Sequence, residues 1–215
     1  MIAGDHATVK AWAVETLNEL VEGTRACNAV RHPLGFICFP LLRDGDYGTC
    51  IHYWPTVLDA SSRKVTAVHS HSWHLVSHVL AGRLTNHLST ISDLQSSSSE
   101  LYVVTSNTSE DVIVPTGRRV RVIEECSTTF IANETHEMTA GKFHWTEFPT
   151  DTPTVTVVAG RNEVGRSNFL VDKVGAVPRC VKRRTCSPAD SKTTAQRIVE
   201  LLRDVDRQGL RATQT

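Results

Sequence analysis

The chain has 215 residues, 40% of them hydrophobic, which suffices for a sizeable core in one principal domain with appendages. Lysine plus arginine and aspartate plus glutamate balance at 23 each, so no overall field recruits nucleic acid or an anionic membrane. No apolar run approaches the roughly 20 residues of a bilayer span and no basic segment followed by an apolar stretch opens the chain, so a soluble, cytoplasmic protein is expected.

A helix is predicted over residues 5–22. Val9, Trp12, Ala13, Leu17, Leu20 and Val21 recur at helical spacing, Asp5 can cap its start and Gly23 can end it. The chain then changes to short β-rich segments divided by turn residues. Strands are predicted at 35–42, 47–54, 65–70, 75–80, 83–88, 100–106, 119–124, 128–132, 142–148, 154–159 and 168–171, a pattern of a sandwich or barrel. A second helix is predicted from Pro188 to about residue 208, with Ser187 as N-cap, an apolar stripe of Ile198, Leu201, Leu202 and Val205, and Gly209 as its stop. The expected organisation is a helical arm (1–32), a β domain (33–172), and a basic connector with the C-terminal helix (173–215).

The cysteines Cys27, Cys38, Cys50, Cys126, Cys180 and Cys186 are scattered and form no Cys-x-x-Cys pair, so reduced thiols are the default. Cys180 and Cys186 are close enough in sequence to bridge a short loop. In the connector, Arg179, Lys182, Arg183 and Arg184 read either as a contact for a phosphate or acidic partner or as a solvated face.

Ten histidines are present, and their placement matters more than their number. The segment from Val68 runs His69-Ser70-His71-Ser72-Trp73-His74-Leu75-Val76-Ser77-His78 and ends on Gly82. In an extended strand residues two apart share a face, so His69 and His71 point the same way, a pattern common to metal sites and to ordinary half-exposed strands. Downstream, His136-Glu137-Met138-Thr139-Ala140-Gly141-Lys142-Phe143-His144-Trp145 takes a short strand into a turn at Gly141 and returns with a histidine.

With both segments in this order, the chain resembles the cupin superfamily over residues 35–172. The first motif of that superfamily carries His-x-His, then Glu, then a glycine turn after an apolar strand; its second carries Pro-x-Gly-x-x-His. The resemblance implies a mainly β fold, an antiparallel jelly-roll barrel flanked by the two helices, with one divalent metal ion on His69, His71 and His144. Four positions depart from the pattern: Val76 stands at the glutamate ligand, Thr139 at the motif proline, Arg63 at the glycine opening the first motif, and Phe148 at an asparagine. Three histidines without the carboxylate resemble the thiol dioxygenase branch, of the cysteine dioxygenase type.

Three neutral imidazoles suit Fe, Zn, Cu or Ni and leave the ion's charge uncompensated, which favours a small-molecule substrate with an anionic group. The leading expectation is a non-haem Fe(II) oxygenase. The alternatives are a Zn(II) cupin with non-redox chemistry, such as an isomerase, lyase or N–N bond-forming enzyme, and a non-catalytic ligand-binding barrel. If Val76 faces the ion, alternation brings His78 to the same face as a candidate acid–base residue, the other reading being a core histidine bonded to backbone. His74 is a possible substitute ligand or a strand-end surface residue, and His136 a cavity-wall residue. One alternating set of Cys50, His52 and Trp54 or Ile51 and Tyr53 faces inward. Arg43 and Arg83 are, by chain position, the candidate arginines to receive a carboxylate, and Trp54, Trp73 and Trp145 read as core or cavity wall. By analogy with the superfamily, a homodimer is expected.

Overall fold

The structure is a computed structural model that describes residues 5–56, 67–107 and 109–212, with side chains to residue 205. Arg63 and residues 65 and 66 of the strand expected at 65–70 lie outside the described residues. Helix α1 (His6–Glu22) opens the chain, followed by strands β1 (Val30–Arg31), β2 (Ile37–Asp44), β3 (Tyr47–Trp54), β4 (His69–Ser70) and β5 (Trp73–Ala81). Then come β6 (Arg83–Asp93), β7 (Ser99–Ser106), β8 (Glu110–Ile131), β9 (Thr135–Met138) and β10 (Phe143–Glu147). Strands β11 (Thr154–Asn162), β12 (Asn168–Lys173), β13 (Arg179–Lys182) and β14 (Arg184–Thr185) lead to helix α2 (Pro188–Ala212).

The strands form two seven-stranded antiparallel sheets, ordered β14-β1-β2-β3-β11-β5-β9 and β13-β8-β6-β10-β4-β12-β7, which face one another as a jelly-roll-like sandwich. Strand β8 pairs with β7 along its first half and with β6 along its second, tying the ends of the second sheet together.

Both helices cover the outer face of the first sheet. Val9, Ala13, Leu17 and Leu20 of α1 and Ala195, Ile198, Val199 and Leu202 of α2 share one core with Phe39, Ile51, Leu80 and Val157 of the strands. Each of the fully buried leucines contributes about 1.5–3 kcal/mol through apolar area removed from water. Trp12 departs from the expected stripe, being 38% exposed at the margin of the helix pair. The caps follow the sequence. The Asp5 carboxylate accepts from the Thr8 N–H at 2.8 Å, and Gly23, at φ 84°, donates to the Glu19 carbonyl. At α2 the Ser187 hydroxyl accepts from the Asp190 N–H at 3.0 Å.

Three features differ from expectation. The two strands expected at 119–124 and 128–132 are one strand, because Glu125 is accommodated in a β-bulge, between the pairs Ser89–Glu124 and Leu88–Cys126, and not in a turn. The short strand read before the Gly141 turn, β9, pairs with β5, a partner the sequence did not indicate, and extends the first sheet. The basic connector carries β13 on β8 and β14 on β1, so it joins both sheets, with Arg179 on Asp172 and Arg183 on Asp111. The cysteines are free thiols. Cys186 is buried against the helices, and Cys180 is exposed on β13.

Candidate metal centre

His69 and His144 are direct cross-strand partners in the β4–β10 ladder. His71 lies just past β4, held there by the second motif: the Gly141 N–H donates to the His71 carbonyl at 2.8 Å. Gly141 adopts φ 81°, and a Cβ there would come within 2.9 Å of the Arg166 guanidinium, so the turn that makes this bond favours glycine. The ring centroids are 4.4 Å apart for His69 and His144, 4.9 Å for His69 and His71, and 5.1 Å for His71 and His144. One ligand nitrogen from each lies within 4.8 Å of the other two.

The outer hydrogen bonds of the rings suit this role. His69 Nδ1 donates to the Ala67 carbonyl at 2.8 Å and His144 Nδ1 to the Lys142 carbonyl at 3.2 Å. A carbonyl only accepts, so these bonds place the proton on Nδ1 and leave Nε2 with its lone pair, the arrangement that metal-binding imidazoles need. Burial lowers the pKa of all three, His71 well below the ordinary value and His144 to about 3. The rings are therefore neutral ligands at pH 7, ready to coordinate without first losing a proton. The donor set and its geometry fit a divalent ion of the Fe or Zn kind.

The three histidines open into a cavity of about 410 Å³ between the sheets. Phe36, Trp54, Leu75, Met138, Phe148 and Val158 form much of its wall, with polar groups interspersed. His136 also lines the cavity; its ring stacks on Phe130 at 4.6 Å, its buried Nδ1 has no hydrogen-bond partner among the described residues, and burial lowers its pKa to about 4. Arg43 stands at the exposed rim, and Arg183 lines the wall while bound to Asp111 at 2.8 Å.

Other residues singled out in the sequence lie elsewhere. Trp73, Leu75 and Ser77 of β5 face the cavity, so alternation turns Val76 and His78 to the opposite face. This corrects the expectation that Val76 looks at the ion and carries His78 with it. His78 instead contacts α1, its Nε2 3.0 Å from His6 Nδ1 and its Nδ1 2.7 Å from Thr135 Oγ1. His74 is a surface residue paired with Glu163 at 3.0 Å. Arg83 is exposed on β6, and Trp145 stacks on His87 with centroids 3.7 Å apart. Of the alternating set on β3, Cys50, His52 and Trp54 face the cavity. Cys38 on β2 joins them, a grouping that the sequence reading did not make.

Comparison with protein-family models and with curated proteins gives no match. Among solved structures the chain is similar to the DMSP lyase DddQ from Ruegeria pomeroyi DSS-3, at 14% identity and TM-score 0.37, over 62% of this chain and 50% of that one. It is similar to an uncharacterised conserved protein with a double-stranded beta-helix domain from Klebsiella pneumoniae subsp. pneumoniae MGH 78578, at 13% identity and TM-score 0.35, over 64% of this chain and 85% of that one. It is also similar to an oxalate oxidase, at 15% identity and TM-score 0.37, over 80% of this chain and 73% of that one. The chain thus spans about half the length of the lyase. At these values the fold description rests on the strand pairing of the chain itself. Among the described residues no helix is long and apolar enough to cross a membrane.

Proposed function

We propose that the chain is a metal-dependent enzyme of the cupin type acting on a small organic molecule with an anionic group, and that it is a non-haem Fe(II) oxygenase. The observation that carries this reading is the convergence of three neutral imidazoles, with no carboxylate in the cluster among the described residues, on the wall of a cavity between the sheets. His69, His71 and His144 would hold the ion, with the Nδ1 protons of His69 and His144 committed to backbone oxygens. Uncharged ligands leave the ion's positive charge to attract an anionic substrate group. Fe(II), when bound, supplies dioxygen activation at positions the protein leaves free.

The remaining residues bind, orient and exclude. The aromatic and aliphatic wall takes up a carbon skeleton and keeps water from the reacting atoms. Arg43 at the rim receives an outward-lying anionic group, and the His136 imidazole in the cavity wall supplies a polar group inside it. His136 thereby takes the place that alternation had suggested for His78.

The test is anaerobic loading with one equivalent of Fe(II) followed by nitric oxide. A paramagnetic signal of half-integer spin is expected, since open positions on the ion accept the gas. Iron-loaded protein without that signal, with activity persisting in zinc-loaded protein under anaerobic conditions, would replace the oxygenase by the zinc alternative.

A further inference from the structure

Across the cavity from the three histidines, on the other sheet, three further ligating side chains meet. Cys38 of β2 and Cys50 and His52 of β3 each offer an atom within 4.8 Å of the other two, and Cys50 Sγ lies 3.1 Å from His52 Nε2. We infer that Cys38, Cys50 and His52 form a second metal site, selective for a thiophilic ion such as Zn(II) or Cu(I).

The geometry suits such an ion. With metal–sulfur and metal–nitrogen distances of about 2.3 and 2.0–2.1 Å, tetrahedral coordination separates two sulfurs by about 3.8 Å and sulfur from nitrogen by about 3.6 Å. The observed limit of 4.8 Å and the 3.1 Å contact bracket these values, so sub-ångström side-chain movements are enough. The platform is rigid. His52 and Cys38 are direct partners in the β2–β3 ladder, and the His52 ring packs against Phe36 at 4.3 Å and against the edge of Trp54 at 5.6 Å.

A local irregularity builds the cluster. From the hairpin outward, Asp44 pairs with Tyr47 and Leu42 with Thr49; past a bulge at Leu41, Pro40 pairs with Cys50 and Cys38 with His52. Were Leu41 paired regularly with Cys50, Cys38 would oppose Tyr53 and point to the helix side, because a one-residue slip exchanges the faces of a strand. The bulge therefore turns Cys38 toward Cys50. The hydrogen bond between the two thiols lowers the pKa of Cys38 well below the ordinary thiol range and raises that of Cys50, while the charge of Arg43 lowers both.

The two sites differ in charge as well as softness. Binding a divalent ion here exchanges two thiol protons for the metal and leaves an uncharged set, so no anionic ligand is required. The three-histidine site retains the full charge of its ion. Soft ions should partition to the thiols and harder ones to the imidazoles, with one remaining position of the thiolate site available to a cavity ligand.

The test is Co(II) titration of reduced, metal-free full-length protein. Wild type should bind two equivalents and show a near-ultraviolet thiolate-to-cobalt charge-transfer band, which imidazole ligands cannot produce. C38S/C50S should lose the band and one equivalent, whereas H144A should lose one equivalent and keep the band. A band absent from wild type, or retained in C38S/C50S, overturns the proposal. In wild type, one equivalent of Zn(II) should slow alkylation of Cys38 and Cys50 by about tenfold or more while leaving the exposed Cys126 and Cys180 unchanged. This measurement decides the matter even if the double variant does not fold. Unprotected thiols, or a Cys38–Cys50 disulfide that persists under the reducing conditions, also overturn it.

Discussion

His69 and His144 face each other directly across the β4–β10 ladder, their rings 4.4 Å apart and their Nδ1 atoms bonded to carbonyls two residues earlier in the chain, Ala67 and Lys142. The same i to i−2 bond on both sides turns both Nε2 atoms to the cavity, so backbone pairing itself places two of the three histidines. His144→Ala should lower affinity for Fe(II) by about 100-fold or more, exceeding what loss of an outer hydrogen-bond partner does. The ladder around residue 144 uses backbone groups, so stability should change by less than about 2 kcal/mol. Metal titration and a denaturant melt check both values, and an affinity equal to wild type would remove His144 from the site.

Val76 and His78 sit on the helix-facing side of β5, behind the cavity wall. Val76→Glu should leave metal affinity unchanged, although a carboxylate on the cavity face would strengthen binding of a hard ion. His78→Gln should likewise leave affinity unchanged while altering stability through the contacts to His6 and Thr135. Tighter binding by Val76→Glu would place that side chain back at the ion.

This error has a physical origin. Alternation fixes that 75 and 77 share one face of β5 and 76 and 78 the other, but not which face is inward. On an exposed barrel polarity would decide. Here α1 and α2 cover the outer face, so Leu80 is as buried as Val79 and both faces read as apolar. The clustering of His69, His71 and His144 was legible because His-x-His and the Gly141 turn are local patterns. The convergence of Cys38 with Cys50 was not, since it depends on the bulge at Leu41. The merging of two expected strands into β8 depends on the bulge at Glu125 in the same way.

Gly160 supports the site from behind Trp73. A Cβ at position 160 would lie 2.5 Å from Trp73 Cε3, and the Trp73 ring is 4.7 Å from that of His71. Gly160→Ala should therefore displace Trp73 toward His71, costing about 1–3 kcal/mol of stability and weakening metal binding. Thermal melting, indole fluorescence and metal titration report the three effects. Unchanged fluorescence and affinity would show that Trp73 moves away freely.

Acid should destabilise the metal-free protein through its buried imidazoles. His144 and His136 titrate near 6.5 when unfolded and at about 3 and about 4 when folded, burial being the main cause. Between those limits the unfolded chain binds more protons, so the stabilisation is complete above pH 6.5 and declines as pH falls toward about 4. The urea midpoint should fall over this range, and less steeply in His136→Gln. An unchanged slope in that variant would mean that His136 does not titrate as a buried group.

The most direct measurement of the central claim is the X-ray absorption spectrum of wild-type protein loaded anaerobically with one equivalent of Fe(II). Three imidazoles at a single iron are expected, seen as nitrogen scattering with the outer-shell pattern of histidine rings, with that pattern reduced in His144→Ala. A sulfur shell, or an imidazole pattern unchanged by His144→Ala, would contradict the assignment of the iron to His69, His71 and His144.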